Sequence, residues 1–264
     1  IFFILYLLII LCYIFLIKNK FYQSHQNITI TGNQKVHNMY SIGHRIIIKD
    51  FSKEDCKAYI EKLKAAGFDE IVINVHHFAN QIIDFLKEKN NFGITIHISD
   101  ETEFLLDTGG GIKKAAPYFD EPFLIHNVDI LSNTDLKALY NYHLQSGNDA
   151  TLLVSPRQTT RYLLFNSDRR LCGWINKDTL QTKPEGFIYQ PNVQKEYAFS
   201  GIHIISPGLF KYMDEKWNGK FSIMDFYLQF CQEALIGGYV KEDLQLIDIG
   251  KPETLAKAEE YINA

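Results

Sequence analysis

From Ser52 onward the apolar positions alternate between a helical and a strand-like period. In "SKEDCKAYIEKLKAAGF" (52–68) Ala58, Tyr59, Leu63 and Ala66 fall mostly on one face, Ser52 and Asp55 open the run in the manner of a capping box, and Gly67 closes it. That spacing predicts an amphipathic helix. "EIVINV" (70–75) predicts a buried strand, "FANQIIDFLKEKN" (78–90) a helix and "GITIHIS" (93–99) another strand. The order helix, strand, helix, strand points to βαβ units and a parallel sheet. "PFLIHNVDIL" (122–131) continues as a strand and "TDLKALYNYHLQSG" (134–147) as a helix stopped by Gly147. Shorter strand-like runs follow in "ATLLVS", "RYLLF", "RLCGWI", "GFIYQ" and "EYAFSGIHIIS", and helical periods return in "SIMDFYLQFCQEALIGG" and "PETLAKAEEYINA". The expected architecture is one α/β domain with an antiparallel insertion in its second half.

The pattern before Asp50 is of another kind. "IFFILYLLIILCYIFLI" (1–17) is an unbroken apolar run at the short end of what spans a bilayer, and "KNK" follows it. The first 49 residues contain no Asp, Glu, Ala or Pro, all of which are used freely afterwards. Two readings stay open: a membrane anchor or uncleaved signal sequence, or a mistranslated front, since the first Met is Met39 and the residues there favour A/T-rich codons. The expected division is a segment 1–49 outside the domain and a domain 50–264.

Charge narrows the partners. With 27 Lys and Arg against 31 Asp and Glu the net charge is -4, so composition offers no basic field for nucleic acid and favours small-molecule chemistry. Cys12, Cys56, Cys172 and Cys231 lie far apart, with no C-x-x-C pair, and read as free thiols. His76 and His77 are strand neighbours that point to opposite faces, which disfavours a shared metal ion. Arg157, Arg161, Arg169 and Arg170 read as a solvated basic surface.

Ligands of open α/β sheets gather at the carboxyl ends of strands, which singles out Asp129 in "LIHNVDIL" and Asp248 in "LQLIDIG". Carboxylates there suit a hard cation such as Mg²⁺, although a lone strand-end Asp is more often a turn-former. "LLDTGGGIKKA" (105–115) has neither the G-x-G-x-x-G spacing nor a G-K-[ST] ending, and reads either as a flexible turn or as a place of close backbone approach.

Taken in order, "EKLKAAGFDEIVINVHHFANQI", "LLDTGGGIKKA", "FLIHNVDIL", "FSGIHIISPGLF" and "LIDIGKPETLAKAEEY" resemble the sugar-1-phosphate nucleotidyltransferase family, nearest to the guanylyl- and uridylyltransferases of mannose or N-acetylmuramic acid 1-phosphate. The resemblance runs from about Ile60 to the C-terminus. It implies a mostly parallel Rossmann-like sheet flanked by helices. It also implies transfer of a nucleotidyl group from a nucleoside triphosphate to a sugar 1-phosphate, with Mg²⁺, as for precursors of cell-envelope polysaccharide. Residue by residue, Asp129 and Asp248 match the two metal ligands of the catalytic centre. Leu106, Thr108, Gly109 and Gly110 match the loop against the nucleobase, where missing side chains leave room for a flat ring, and Asn127, Ser200 and Gly201 match the sugar side.

Two departures qualify the match. Asn176 stands where the family commonly has the Glu of a sugar-reading Glu-Lys pair. Nothing before Phe51 resembles the family's first strand with its G-x-G-T-R-x-x-P-L-T loop, whose amides and Arg hold the triphosphate, so very low activity is expected. The alternative is a catalytically inactive, nucleotide-sugar-binding or membrane-anchored relative. Location follows suit: cytoplasmic, or anchored and facing the cytoplasm.

Overall fold

The computed structural model describes residues 44–49, 60–61, 63–76, 79–127 and 130–248, with backbone alone for 44–49 and for Asp248. Strands β1 (His44–Lys49), β2 (Phe68–Val75), β3 (Thr95–Asp100) and β4 (Phe123–Asn127) are parallel, in the order β3-β2-β1-β4. Helix α1 (Ala79–Glu88) connects β2 to β3, helix α2 (Asp107–Ala115) follows β3, and helix α3 (Leu136–Ser146) follows the short strand β5 (Ile130–Ser132). The second half adds β6 (Ala150–Ser155), β7 (Arg161–Phe165), β8 (Leu171–Asn176), β9 (Thr182–Lys183), the long β10 (Lys195–Ile205), helix α4 (Ile223–Phe230), β11 (Ile236–Val240) and β12 (Leu246–Asp248).

Strand β10 joins the halves. Its last residues run antiparallel to β4 on one side and β6 on the other, and its first residues pair with β7, which leads out to β8 and β9. Strand β11 returns parallel to β6. Strand periodicity then divides the core between the two faces of the sheet. Val72 and Ile125 pack with Ile112, Phe119 and Phe226 on one face, while Ile71, Ile73 and Leu124 pack with Ile60, Leu63, Ile82 and Tyr140 on the other. The expected α/β sheet with antiparallel insertion strands is what the chain forms.

Several local expectations change. The sheet was expected to lack its central first strand, yet His44–Lys49 lies between β2 and β4, so the fold reaches back across the boundary drawn at Asp50. Three consecutive isoleucines flanked by polar residues suit a strand hydrogen-bonded on both sides. The helix read over 222–238 ends at Phe230, and Ile236–Val240 becomes β11. Gly238 explains why: a Cβ there would lie 2.9 Å from the Phe165 ring, so the strand needs a bare backbone to close on the insertion. "GFIYQ" forms no strand, and Ile188 is exposed. Residues 1–43, including the apolar run, the first part of the helix read over 52–67 and the C-terminal helical pattern lie outside the described residues. Among the described residues, no helix is long and apolar enough to cross a membrane.

Candidate active site

Because β1 to β4 are parallel, their carboxyl ends share one edge of the sheet. Register brings Val75 beside Asp100 and Lys49 beside Asn127 there. At this edge β10 is irregular: pairing with β6 slips between Phe199 and His203, and Gly201 takes the left-handed backbone (φ +82°). A side chain at Gly201 would be strained, and its Cβ would stand 3.4 Å from Nδ2 of Asn127 and 3.8 Å from Ile130. Asn127 and Gly201 are thus neighbours. Ser200 is buried beside them, and its Oγ accepts the Ile202 N–H at 3.1 Å.

Asp248 comes to this edge through backbone pairing. Strand β12 runs antiparallel to β5 with Asp248 opposite Ile130, the residue that follows Asp129 in the chain. Asp129 itself lies outside the described residues, and of Asp248 only the backbone is described. Carboxylate oxygens are the donor type that suits Mg²⁺. Among the described residues there is no group of three or more His, Cys, Asp or Glu able to hold a metal ion. His76 is bonded through Nδ1 to the Glu101 carbonyl at 2.7 Å, and His77 lies outside the described residues.

The glycine-rich stretch is the largest difference from the sequence reading. Asp107 to Ala115 is helix α2, with Gly109, Gly110 and Gly111 buried in its first turns. The space left by the missing side chains is filled from within the chain. A Cβ at Gly109 would lie 2.2 Å from the Phe221 ring, and one at Gly110 2.1 Å from the Gly219 carbonyl oxygen. Hydrogen bonds fasten the two segments together. Gly109 N–H donates to the Phe221 carbonyl at 2.8 Å, Phe221 N–H to the Leu106 carbonyl at 3.2 Å, and Ile223 N–H to Thr108 Oγ1 at 2.9 Å. The two lysines of the motif are equally occupied. Lys113 Nζ reaches the Asn218 side chain at 2.6 Å, and Lys114 Nζ the Asp100 carbonyl.

Glu101 was missed. It is almost fully buried; its carboxylate takes a hydrogen bond from Asn74 Nδ2 and another from Leu106 N–H at 3.0 Å, fixing the chain as it enters α2. The signal was present, since "SDE" closes the β3 run just as the inspected aspartates close theirs. The Asn176 departure also gains a partner in space. Lys177 pairs with Glu196 of β10, which also accepts from Tyr189 Oη, and Lys177 Nζ lies 5.0 Å from the centre of the Tyr189 ring. Burial opposes the Glu196 carboxylate, but the bonds from Lys177 and Tyr189 outweigh it and lower its pKa, while the bond to Glu196 raises that of Lys177.

Residues 50–264 match the family described as Nucleotidyl transferase. The chain belongs to the nucleotidyl transferase family. Its relatives include the D-glycero-alpha-D-manno-heptose 1-phosphate guanylyltransferase of Aneurinibacillus thermoaerophilus, 28% identical over 205 residues that cover 76% of this chain and 81% of the relative. They also include the UTP–glucose-1-phosphate uridylyltransferase of Synechocystis sp., 27% identical over 206 residues, 73% of this chain but 51% of the relative. The chain therefore spans about half the length of that relative. Among solved structures, HddC from Yersinia pseudotuberculosis shares the fold with a TM-score of 0.61 at 22% identity, covering 83% of this chain and 99% of that one. The resemblance read from the sequence to sugar-1-phosphate nucleotidyltransferases is upheld.

Proposed function

We propose that the carboxyl edge of the parallel sheet is a site for transfer of a nucleotidyl group from a nucleoside triphosphate to a sugar 1-phosphate. The observation that carries this reading is convergence: Asn127, Gly201 and the pairing of Asp248 with the residue after Asp129 fall together where ligands of such sheets bind. An oxygen of the sugar phosphate attacks the α-phosphorus, the bond to the β-phosphate breaks, and pyrophosphate leaves. Asp129 and Asp248 would hold Mg²⁺, which supplies neutralisation of the charge on the transferring group. Asn127 and Gly201 border the sugar phosphate, Gly201 by letting the backbone come close, and Ser200 stiffens the strand behind them. Leu106 and Thr108 would border the base at the first turn of α2, and the buried Gly109 and Gly110 hold that turn in place by packing on Phe221 and Gly219.

The same reading includes a weak grip on the triphosphate. Strand β1 occupies the first-strand position, but "DFSKEDCK" follows it, without glycine or arginine where the family places G-x-G-T-R. Loss of such donors commonly lowers rate by about 10²–10³ for each. That observation keeps a second reading open, a relative that binds nucleotide sugar without turning it over, whether in the cytoplasm or anchored facing it. Pyrophosphate release and calorimetric binding, measured with UTP, GTP, CTP and dTTP in the presence of Mg²⁺ and sugar 1-phosphates, separate the two. Slow turnover that Asp248→Asn abolishes supports the transferase, and binding without turnover supports the second reading. Full turnover removes the weak-grip argument, and no binding to any of these removes both.

A further inference from the structure

The basic cluster read from the sequence as a solvated surface is, in part, the wall of a cavity. A space of about 310 Å³ opens between the C-terminal end of α3 and the β7–β8 turn, lined by Arg169, Arg170, Asp168, Tyr142, Gln145 and Asn148 among others. It lies at the opposite edge of the sheet from the candidate active site. Ile205 of β10 pairs with both Phe123, at the amino end of β4, and Ala150, at the start of β6, and Gly237 on the cavity wall pairs with Thr151. Asn127 is four strand residues away, on the order of 13 Å along β4.

The wall is firmly built. Arg170 bonds through Nη1 to Asn148 Oδ1, and the buried Asn148 bonds through Nδ2 to Thr151 Oγ1 at 3.0 Å. Beneath it the buried His143 bonds to Thr151 Oγ1 at 2.8 Å and to Ser206 Oγ at 2.9 Å, so the polar groups under the cavity are satisfied by one another. The turn is stitched down as well: Asn166 Oδ1 accepts from Asp168 N–H and Arg170 N–H, and the Arg169 carbonyl accepts from Gly238 N–H.

Arg169 is the telling residue. It occupies the left-handed conformation (φ +58°) of a short hairpin turn, where glycine is the unstrained choice. An arginine kept there presents an exposed guanidinium at the cavity mouth, and neither Arg169 nor Arg170 is ion-paired to a carboxylate among the described residues. Two guanidinium groups call for an anion with several acceptor oxygens. Asp168 and the last carbonyls of α3 disfavour a bare anion, and together with Gln145 they offer acceptors for hydroxyl groups. The volume exceeds what phosphate alone fills and falls at the lower end of small-molecule sites.

We infer that this cavity binds a phosphorylated sugar, its phosphate on Arg169 and Arg170 and its hydroxyls on Asp168 and Gln145. The test uses the full chain with three probes, glucose 6-phosphate, inorganic phosphate and glucose, followed by calorimetry and by amide hydrogen exchange. Glucose 6-phosphate should bind more tightly than the other two and protect residues 142–148 and 166–170. Arg169→Gly should weaken it about tenfold or more while raising the thermal midpoint, since glycine relieves the turn. Asn127→Ala at the other edge should leave the affinity unchanged. Equal binding of inorganic phosphate overturns the sugar half of the assignment. Absence of binding, wild-type affinity in Arg169→Gly, or protection confined to residues 100–110 and 127–132 overturns the whole.

Discussion

Replacing Gly109 by alanine sets two effects of opposite sign against each other. Alanine in the first turns of a helix is favoured over glycine by about 1 kcal/mol. Against that, the new Cβ would stand 2.2 Å from Cε2 and 2.4 Å from Cδ2 of Phe221. The Phe221 ring is held by neighbours, with Trp217 at 5.1 Å and Phe226 at 6.5 Å between centroids, so it cannot simply swing aside. Overpacking costs about 1–3 kcal/mol; an approach as short as 2.2 Å belongs to the upper part of that range, about 2–3 kcal/mol, which leaves a net loss of about 1–2 kcal/mol. In a chain of this size that lowers the thermal midpoint by roughly 2–8 °C. The informative experiment is a double-mutant cycle in urea unfolding. In a Phe221→Ala background the clash is gone, and Gly109→Ala should become neutral or stabilising. Gly110→Ala should stay unfavourable in both backgrounds, because its clash is with the Gly219 backbone carbonyl at 2.1 Å. If Gly109→Ala raises the midpoint of the wild-type chain and shows no coupling to Phe221, then the glycines are not spacers for this internal contact.

Other expectations follow from buried polar groups. Glu101→Ala strips the partners from Asn74 Nδ2 and Leu106 N–H; a loss of about 2–4 kcal/mol is expected in urea unfolding, with faster hydrogen exchange over 102–110. Burial lowers the pKa of His143 to about 4 and that of His203 to about 3, below the ordinary 6.5, so both stay neutral in the folded chain. Between about pH 4 and 6.5 the unfolded chain then binds more protons, so stability rises with pH across that window and levels off above it. His143 alone contributes about 3 kcal/mol that is present at pH 7 and lost by pH 4. Resonances of the His143 or His203 imidazole that titrate near pH 6.5 in the folded chain would remove this account. Cys172, its thiol pushed up to about 11 by burial, and Cys231, also raised, should react slowly with a thiol reagent at pH 8 until the chain unfolds.

The parts of the fold legible in the sequence were those with a clean period. "EIVINV" and "GITIHIS" became β2 and β3, and "TDLKALYNYHLQSG" became α3 with Asp135 as its N-cap and Gly147 as its left-handed stop. The glycine run was read as a turn because glycine disfavours helix locally, whereas packing on Phe221 and Gly219 overrides that preference by demanding a surface without side chains. Ile236–Val240 was absorbed into the preceding helix because a short apolar run does not declare its period; only its parallel partner β6 decides it. At the candidate site, strand-end logic pointed to Asp129 and Asp248 and the resemblance to Asn127; the proximity of Asn127 to Gly201 and of Asp248 to Ile130 is a property of register that no local pattern encodes. The pairing of Lys177 with Glu196 was invisible for the same reason: the partner arrives from another strand.

Strand β10 carries a consequence for synthesis. On the ribosome β1 to β4 emerge early, but the outer neighbour of β4 is β10, which ends at Ile205. Roughly eighty residues separate Phe123 from its partner, a wait of about 4–16 s at about 5–20 residues per second. Throughout that interval the β4 edge is an unpaired, hydrophobic rim, the kind of surface to which a second nascent chain can add. Slowing initiation so that polysomes are sparse should therefore raise the soluble yield of this protein.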